Sequence, residues 1–125
     1  MQFTIREQAD VLIRALQATS DLYFATKYPI LKPAVYGCDF SKQAKYWRVY
    51  RDDGSQRFVE LFINKDNGDI YYPGGWKAPE PKRVPRFNIA DQAGIQRLVD
   101  HKSRNHHGYL YLDSIAATDK ILSNA

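Results

Sequence analysis

The feature that most constrains the fold is a stretch at residues 45–89 that contains two hairpin signals. Asp53-Gly54 and Asn67-Gly68 each provide two adjacent residues that tolerate positive φ, as the type I′ turn of a two-residue loop requires. The segments around these turns are rich in apolar and aromatic residues. They predict three antiparallel strands at residues 46–51, 57–63 and 69–72. An extended arm rich in proline and basic residues follows at 76–88.

The two short loops also predict the register of the strands. Tyr50 would lie opposite Arg57, Arg48 opposite Val59, and Ile63 opposite Tyr72. One face of the sheet would then carry Tyr46, Val59, Leu61, Ile63, Ile70 and Tyr72. The other face would carry Trp47, Val49, Phe58, Phe62 and Tyr71. Because the N-terminal helix can cover only one apolar face, the second needs the later helix or another copy of the chain. This is the sequence argument for a homo-oligomer.

An N-terminal helix is predicted over residues 5–18, with a continuation to 26 left open. Thr4 and Glu7 have the spacing of a capping box. Apolar residues then recur at helical spacing. Pro29 and Pro33 end the helix and force an extended crossing at 28–37.

A second helix begins after Asp91, a good N-cap residue, and has an apolar stripe at Ile95, Leu98 and Val99. It is predicted to end in the polar run 101–108. Residues 108–112 read as a short strand or a buried connector. Asp113 or Ser114 can cap a last helix that runs through 122.

Together these elements predict one α+β domain over residues 1–125. A three- to four-stranded antiparallel sheet, formed by two hairpins, packs with N-terminal and C-terminal helices. The length is sufficient for a hydrophobic core without disulfides or metal. The lone Cys38 favours a reducing compartment. No apolar run approaches the roughly 20 residues that span a bilayer, so we expect no membrane partner.

The net charge of +4 originates in the middle of the chain, where residues 41–105 carry thirteen Lys/Arg against eight Asp/Glu. Cations beside exposed aromatic rings can bind single-stranded nucleic acid, or a phosphorylated small ligand such as a nucleotide in a smaller pocket. In strands, however, Trp is more often core and Arg more often solvated. The candidate binding residues are Trp47, Arg48, Arg51, Arg57, Trp76, Lys77, Lys82, Arg83 and Arg86.

Catalytic and metal-binding patterns are weak. His101, His106 and His107 with Asp100 are the only candidate metal cluster. On a helix, however, His101 and His106 point in different directions, and zinc needs three or four converging ligands. The aspartates fall in turns, where their side chains bond the backbone. We therefore expect no metal, no cofactor and no enzymatic activity.

The segment 62–89 contains an ordered set of residues: Phe62, Ile63, Gly68, Asp69, Ile70, Trp76, Ala78, Pro79, Lys82, Arg86, Asn88 and Ile89. In this set the segment resembles a family of small uncharacterised proteins of tailed bacteriophages. Lys45 to Val49 also fits the strand that precedes this segment in that family. Asn64 and Phe87 depart from the pattern, which has Asp and Gly there. The resemblance implies a phage origin and nothing about chemistry.

We therefore expect a non-enzymatic phage accessory protein in the cytoplasm of the infected bacterial host. It would bind a protein partner or assemble with itself, and its proline-rich arm is suited to binding because it loses little entropy on contact. The alternative is a nucleic-acid- or nucleotide-binding protein that uses the basic and aromatic residues of the sheet and arm.

Overall fold

A computed structural model describes residues 3–123. The strands form one antiparallel sheet in the order β1-β2-β3-β4-β5. The α+β class is confirmed, but the sheet has five strands and not three to four. The elements are α1 (Ile5–Lys27), β1 (Val35–Asp39), β2 (Tyr46–Asp52), β3 (Arg57–Asn64), β4 (Asp69–Tyr71), β5 (Pro85–Asn88), α2 (Gln92–Arg104) and α3 (Leu112–Ser123).

The capping box of α1 is confirmed. The backbone N–H of Glu7 donates to the Thr4 hydroxyl at 3.0 Å, and the Thr4 N–H donates to the Glu7 carboxylate at 3.1 Å. The helix runs on to Lys27, as the longer of the two predicted lengths allows. Its stripe of Ala9, Leu12 and Leu16 is fully buried in the core.

The predicted extended crossing at 28–37 is in part wrong, because residues 29–31 form a turn, whereas its end is extended and belongs to the edge strand β1. Gln17 of α1 takes the place of a neighbouring strand there. Its side-chain amide donates to the Ala34 carbonyl at 2.8 Å and accepts from the Tyr36 N–H at 2.8 Å. A free strand edge invites pairing with another chain, and Gln17 closes this part of it.

The predicted register is wrong at both hairpins. Tyr50 lies opposite Val59 and not Arg57, and Arg48 lies opposite Phe62 and not Val59. At the second hairpin, Ile63 lies opposite Ile70 and not Tyr72.

Both loops contain four residues rather than two, at 53–56 and 65–68. The Asp53 carboxylate accepts from the backbone N–H groups of Ser55 and Gln56, and these hydrogen bonds keep four residues in the first loop. The second is closed by Gly68 N–H donating to the Asn64 carbonyl at 2.8 Å. Gly54 and Gly68 have the positive φ expected of them, 97° and 83°.

The new register changes the two faces of the sheet. Trp47 and Val49 lie opposite Ile63 and Leu61, so all four share the face that packs on the helices. The predicted faces had separated these two pairs. The buried core on this side comprises Ala9, Leu12, Leu16, Tyr36, Val49, Leu61, Ile63, Ile70, Phe87, Ile89, Ile95, Leu98, Tyr109, Leu110 and Ile115.

The opposite face, called the outer face here, is covered by residues 73–84 of the same chain. This arm is tied to the sheet by a hydrogen bond from Glu80 N–H to the Tyr72 carbonyl at 2.9 Å. The Trp76 ring lies 4.3 Å from the Arg48 guanidinium, and Phe62 is buried on this face. The arm therefore supplies the cover for which a second copy had been invoked, and the homo-oligomer stays a prediction without support from this face.

The end of the predicted arm is also a strand. β5 pairs with β4 through Asp69 and Asn88 at the second edge of the sheet. Pro85 begins β5. A proline is tolerated at this first, edge position because no ladder hydrogen bond from its nitrogen is needed.

Asp91 caps α2 as predicted, accepting from Gly94 N–H at 2.7 Å. The helix continues to Arg104, so the first half of the predicted polar run 101–108 is helical. Tyr109 and Leu110 are buried in a turn between α2 and α3, which confirms the buried connector and not the strand. Within residues 3–123 no helix combines the length and apolarity needed to cross a membrane.

Candidate functional site

A β-bulge in β3 turns Glu60 toward the helices. Val49 lies opposite Leu61, whereas the next residue, Tyr50, lies opposite Val59, so Glu60 is the extra residue of the longer strand. A bulge of this kind re-aims a side chain that regular alternation would send to the other face. The Glu60 side chain is consequently only 7% exposed.

Three donors from different parts of the chain converge on the Glu60 carboxylate. Lys102 Nζ lies 3.1 Å from Oε2, and the Tyr109 hydroxyl donates to the same oxygen at 2.8 Å. Arg51 Nη1 donates to Oε1 at 2.9 Å. The Lys102 side chain is 1% exposed and also donates to the His106 carbonyl at 3.3 Å.

The charges of this cluster set its protonation. Burial alone raises the pKa of Glu60, but the charge of Lys102, the Tyr109 hydroxyl and Arg51 outweigh it, so the pKa lies below its ordinary value. Burial lowers the pKa of Lys102, and the Glu60 charge offsets part of that shift. Burial and the Glu60 charge raise the pKa values of Tyr36 and Tyr109. Glu60 is therefore an ionised acceptor among protonated phenols.

A cavity of about 380 Å³ lies over this cluster and is called the polar pocket here. Its wall is largely aromatic, with Phe24, Phe58, Tyr72, Tyr109 and Tyr111. Its polar lining is Ser20, Arg51, Asp53, Glu60, Lys102, His106 and His107. The lining is thus part aromatic and part polar or charged, and a cavity of this size can hold a small molecule.

His106 contributes an uncharged ring to this pocket at neutral pH. Burial, followed by the charges of Lys102 and His107, lowers the pKa of His106 to about 4. The ring stacks on Tyr23 with centroids 3.9 Å apart. Its Nδ1 is buried and has no hydrogen-bond partner among the described residues.

Of the nine predicted site residues, Arg51 alone lines the polar pocket. Arg48, Arg57 and Trp76 meet on the outer face, in a stack called the outer ladder here. The Arg57 guanidinium lies 4.5 Å from the Tyr50 ring, Tyr50 lies 6.3 Å from Trp76, and the Arg48 guanidinium lies 4.3 Å from Trp76.

Both arginines of the outer ladder already have carboxylate partners. Arg48 Nη1 lies 2.6 Å from Asp39, and Arg57 Nε lies 3.3 Å from Asp52. These ion pairs reduce the positive potential that a phosphate group would meet. The ladder is therefore better suited to stacking than to charge recognition.

The other predicted residues do not join a common site. Trp47 is half-buried against the core and contacts Phe40. Arg86 is buried, with Glu80 at 2.7 Å and the Leu110 carbonyl at 2.7 Å. Arg83 bonds carbonyls of its own arm, and Lys77 and Lys82 are exposed.

The residues considered for metal or thiol chemistry are held apart. His101 Nε2 lies 2.9 Å from Asp119, away from the other histidines. In the described part of the chain, no three His, Cys, Asp or Glu side chains are grouped closely enough to hold a metal ion. Burial, followed by the Asp39 charge, raises the pKa of Cys38 to about 12, so its thiol stays protonated.

The sequence analysis does not identify three residues of this cluster, Glu60, Lys102 and Tyr109. The sequence does contain a signal for Glu60 and another for Lys102. Glu60 interrupts the apolar strand sequence FVELFI, and a carboxylate in such a position needs a buried cation. Lys102 continues the apolar stripe of Ile95 and Leu98 at helical spacing.

A second surface lies at residues 28–31, called the apolar loop here. Ile30 is 96% exposed and Leu31 58% exposed. The Leu31 N–H donates to the Tyr28 carbonyl at 3.0 Å and closes the turn. Exposed lysines, Lys27 and Lys32, flank the loop.

Comparison with known proteins finds a family model that matches the chain. A family of unknown function, DUF7717, matches residues 1–112. No curated protein and no solved structure matches the chain. Because the family match covers nearly the whole chain, the protein belongs to the DUF7717 family.

Proposed function

We propose that the protein is a non-enzymatic phage accessory protein that acts in the host cytoplasm by binding another protein through the apolar loop. The observation that carries this proposal is the 96% exposure of Ile30 at the tip of a closed turn. Burying such a side chain against a partner contributes about 1.5–3 kcal/mol. Leu31 beside it provides a second anchor.

The base of the loop is held by a hydrogen bond and by ring contacts, which favours binding because less entropy is lost on contact. Tyr28 N–H donates to the Phe24 carbonyl at 2.8 Å at the end of α1. The Tyr28 ring also lies 6.0 Å from the rings of both Tyr23 and Phe24.

The flanking charges favour a partner of a particular chemistry. Lys27 and Lys32 border the apolar loop on either side in the sequence. A two-fold dimer through this loop would bring the lysines of two copies together, and like charges across an interface oppose association. The loop therefore suits an apolar groove with an acidic rim on a different protein, more than self-assembly.

The Glu60 cluster does not have the properties of a general base. The Glu60 carboxylate accepts three hydrogen bonds, from Arg51, Lys102 and Tyr109. A general base needs a pKa near the working pH, whereas the pKa of Glu60 is lowered. The arrangement is that of an ion pair that holds the fold together.

To test this function, the tagged full chain is purified from bacterial cells, and the amount of any protein that co-purifies with it is measured. Variants of the apolar loop are compared with the wild type in the same experiment. Ile30→Glu introduces a charge at the tip, and Ile30→Val keeps it apolar. Val11→Glu places the same charge on an exposed position of α1. We expect one protein to be retained by the wild type, Ile30→Val and Val11→Glu. The retained amount of this protein should be at least about tenfold lower with Ile30→Glu.

Two results would contradict protein binding through the loop. One is the same retained protein with Ile30→Glu as with the wild type. The other is Ile30-dependent sedimentation with vesicles of anionic lipid, since a basic and apolar loop can also enter a membrane surface.

Nucleic-acid or nucleotide binding is the second candidate, and the outer ladder is the observation that favours it. Trp76 is 40% exposed there and can stack on a base. Fluorescence anisotropy with labelled oligothymidylate tests this function. Binding that weakens between about 50 and about 200 mM salt and is lost with Trp76→Ala favours it over protein binding. No binding at the lower salt concentration excludes it.

A further inference from the structure

We propose that the polar pocket binds a small aromatic monocarboxylate, with the carboxylate on Arg51 and the ring against the aromatic wall. This site is separate from the apolar loop on which the proposed function depends. The proposal uses Glu60, Lys102 and the aromatic wall, none of which was a predicted site residue.

The anion-binding group of the pocket is Arg51. The cavity is bordered by two positive and two negative side chains, those of Arg51, Lys102, Glu60 and Asp53, so it carries no excess charge. The charge of Lys102 is paired with Glu60 at 3.1 Å, and the Asp53 carboxylate accepts from the backbone of its own turn. A ligand with one negative charge can therefore pair with Arg51, whereas a doubly charged anion meets no excess positive charge.

Arg51 is held in a position to bind a carboxylate. Its guanidinium is fixed by the Glu60 carboxylate at 2.9 Å and by the Phe58 ring at 5.1 Å. Among the described residues, Glu60 is the only hydrogen-bond partner of the Arg51 side chain, which is 41% exposed. Its remaining N–H groups match the two oxygens of a carboxylate.

The rest of the lining indicates an aromatic ligand with a polar substituent. The wall presents Phe24, Phe58 and Tyr111, against which a ring can pack. His106 Nδ1 lines the same cavity and is buried without a hydrogen-bond partner among the described residues. A buried polar atom of this kind is normally paired, so it offers a partner to a ligand hydroxyl or a water.

An NMR titration of the ¹⁵N-labelled full chain tests the proposal, with benzoate, benzamide, acetate and phenyl phosphate as probes. We expect benzoate to shift the amide signals of Arg51, Phe58 and Tyr109. Benzamide, which lacks the charge, and acetate, which lacks the ring, should each bind at least about tenfold more weakly. Tighter binding of phenyl phosphate than of benzoate overturns the monocarboxylate assignment.

Two arginine variants that remove the same charge locate the site. Arg51→Gln should weaken benzoate binding at least about tenfold. Arg57→Gln removes a charge from the outer face and should leave binding unchanged. If Arg51→Gln does not fold, Phe58→Ala tests the same site at a half-exposed position and should weaken benzoate binding several-fold.

Three results overturn the proposal: no shift with benzoate, equal binding of benzoate and benzamide, or unchanged binding in Arg51→Gln and Phe58→Ala. Ile30→Glu should bind benzoate like the wild type. A failure of partner retention can therefore be distinguished from a failure of ligand binding.

Discussion

Glu60 Oε2 lies 3.1 Å from Lys102 Nζ, and both side chains are buried although 42 positions separate them in the chain. A buried charge is tolerated only when a partner compensates it. The pair therefore links the bulge of β3 to the last turns of α2. It also forms the floor of the polar pocket.

The lowered pKa of His106 leads to a prediction of how the stability of the protein depends on pH. Its pKa of about 4 in the folded chain lies below its ordinary value of 6.5. The unfolded chain therefore binds a proton that the folded chain excludes, and the free energy of unfolding falls as the pH falls from about 6.5 to about 4. His106→Gln should remove this contribution.

Urea unfolding at about pH 7 and about pH 5 measures the effect, because most carboxylates stay ionised over this range. The wild type should lose more stability between the two values than His106→Gln. His107→Gln removes one of the charges that lower the pKa of His106, so its dependence on pH should lie between those of the wild type and His106→Gln. An equal loss in the wild type and His106→Gln would show that His106 does not resist protonation in the folded state.

Gln17 is predicted to protect the edge of β1. Gln17→Leu leaves the Ala34 carbonyl and the Tyr36 N–H without their partner, which should cost about 1–3 kcal/mol in urea unfolding. The freed edge should also produce concentration-dependent self-association in size-exclusion chromatography. Gln96→Leu, at an exposed position of α2, should change stability by no more than about 0.5 kcal/mol. Similar effects of the two substitutions would argue against the edge contact.

Gly94 is predicted to be essential at the start of α2. Alanine usually stabilises a helix by about 1 kcal/mol relative to glycine. Here the Cβ of an alanine would lie 1.8 Å from the Asn88 carbonyl oxygen, so the backbone must move. Gly94→Ala should therefore destabilise the protein by about 2 kcal/mol or more in thermal unfolding followed by circular dichroism. Gly75→Ala has open space around its Cβ and should be nearly neutral. A stabilised Gly94→Ala would show that Asn88 does not approach the helix so closely.

Local chemistry explains which parts of the fold were predictable. The capping box of Thr4 and Glu7 and the N-cap Asp91 act within a few residues, and both were found in the sequence. The register of the strands could not be predicted, because side-chain oxygens of Asp53 and Asn64 accept backbone hydrogen bonds that keep additional residues in the two loops. The sequence identified these turns but not their length.

The site was less predictable because distant contacts build it. Regular alternation would send Glu60 to the outer face, and only the bulge and Lys102 from α2 direct it inward. The basic residues of the sheet were identified as one binding set. The fold divides them, with Arg51 at the polar pocket and Arg48 and Arg57 in the outer ladder.

The most direct test of the link between the sheet and α2 is a double-mutant cycle with Glu60→Gln and Lys102→Met, measured by urea unfolding. Each single substitution leaves a buried polar group without its main partner, so the double substitution should cost less than the sum of the two. We expect a coupling of about 1.5 kcal/mol or more, compared with less than about 1 kcal/mol for the exposed pair Arg6 and Asp10. Additive effects of Glu60→Gln and Lys102→Met, within about 0.5 kcal/mol, would contradict the buried ion pair and the pocket floor that it forms.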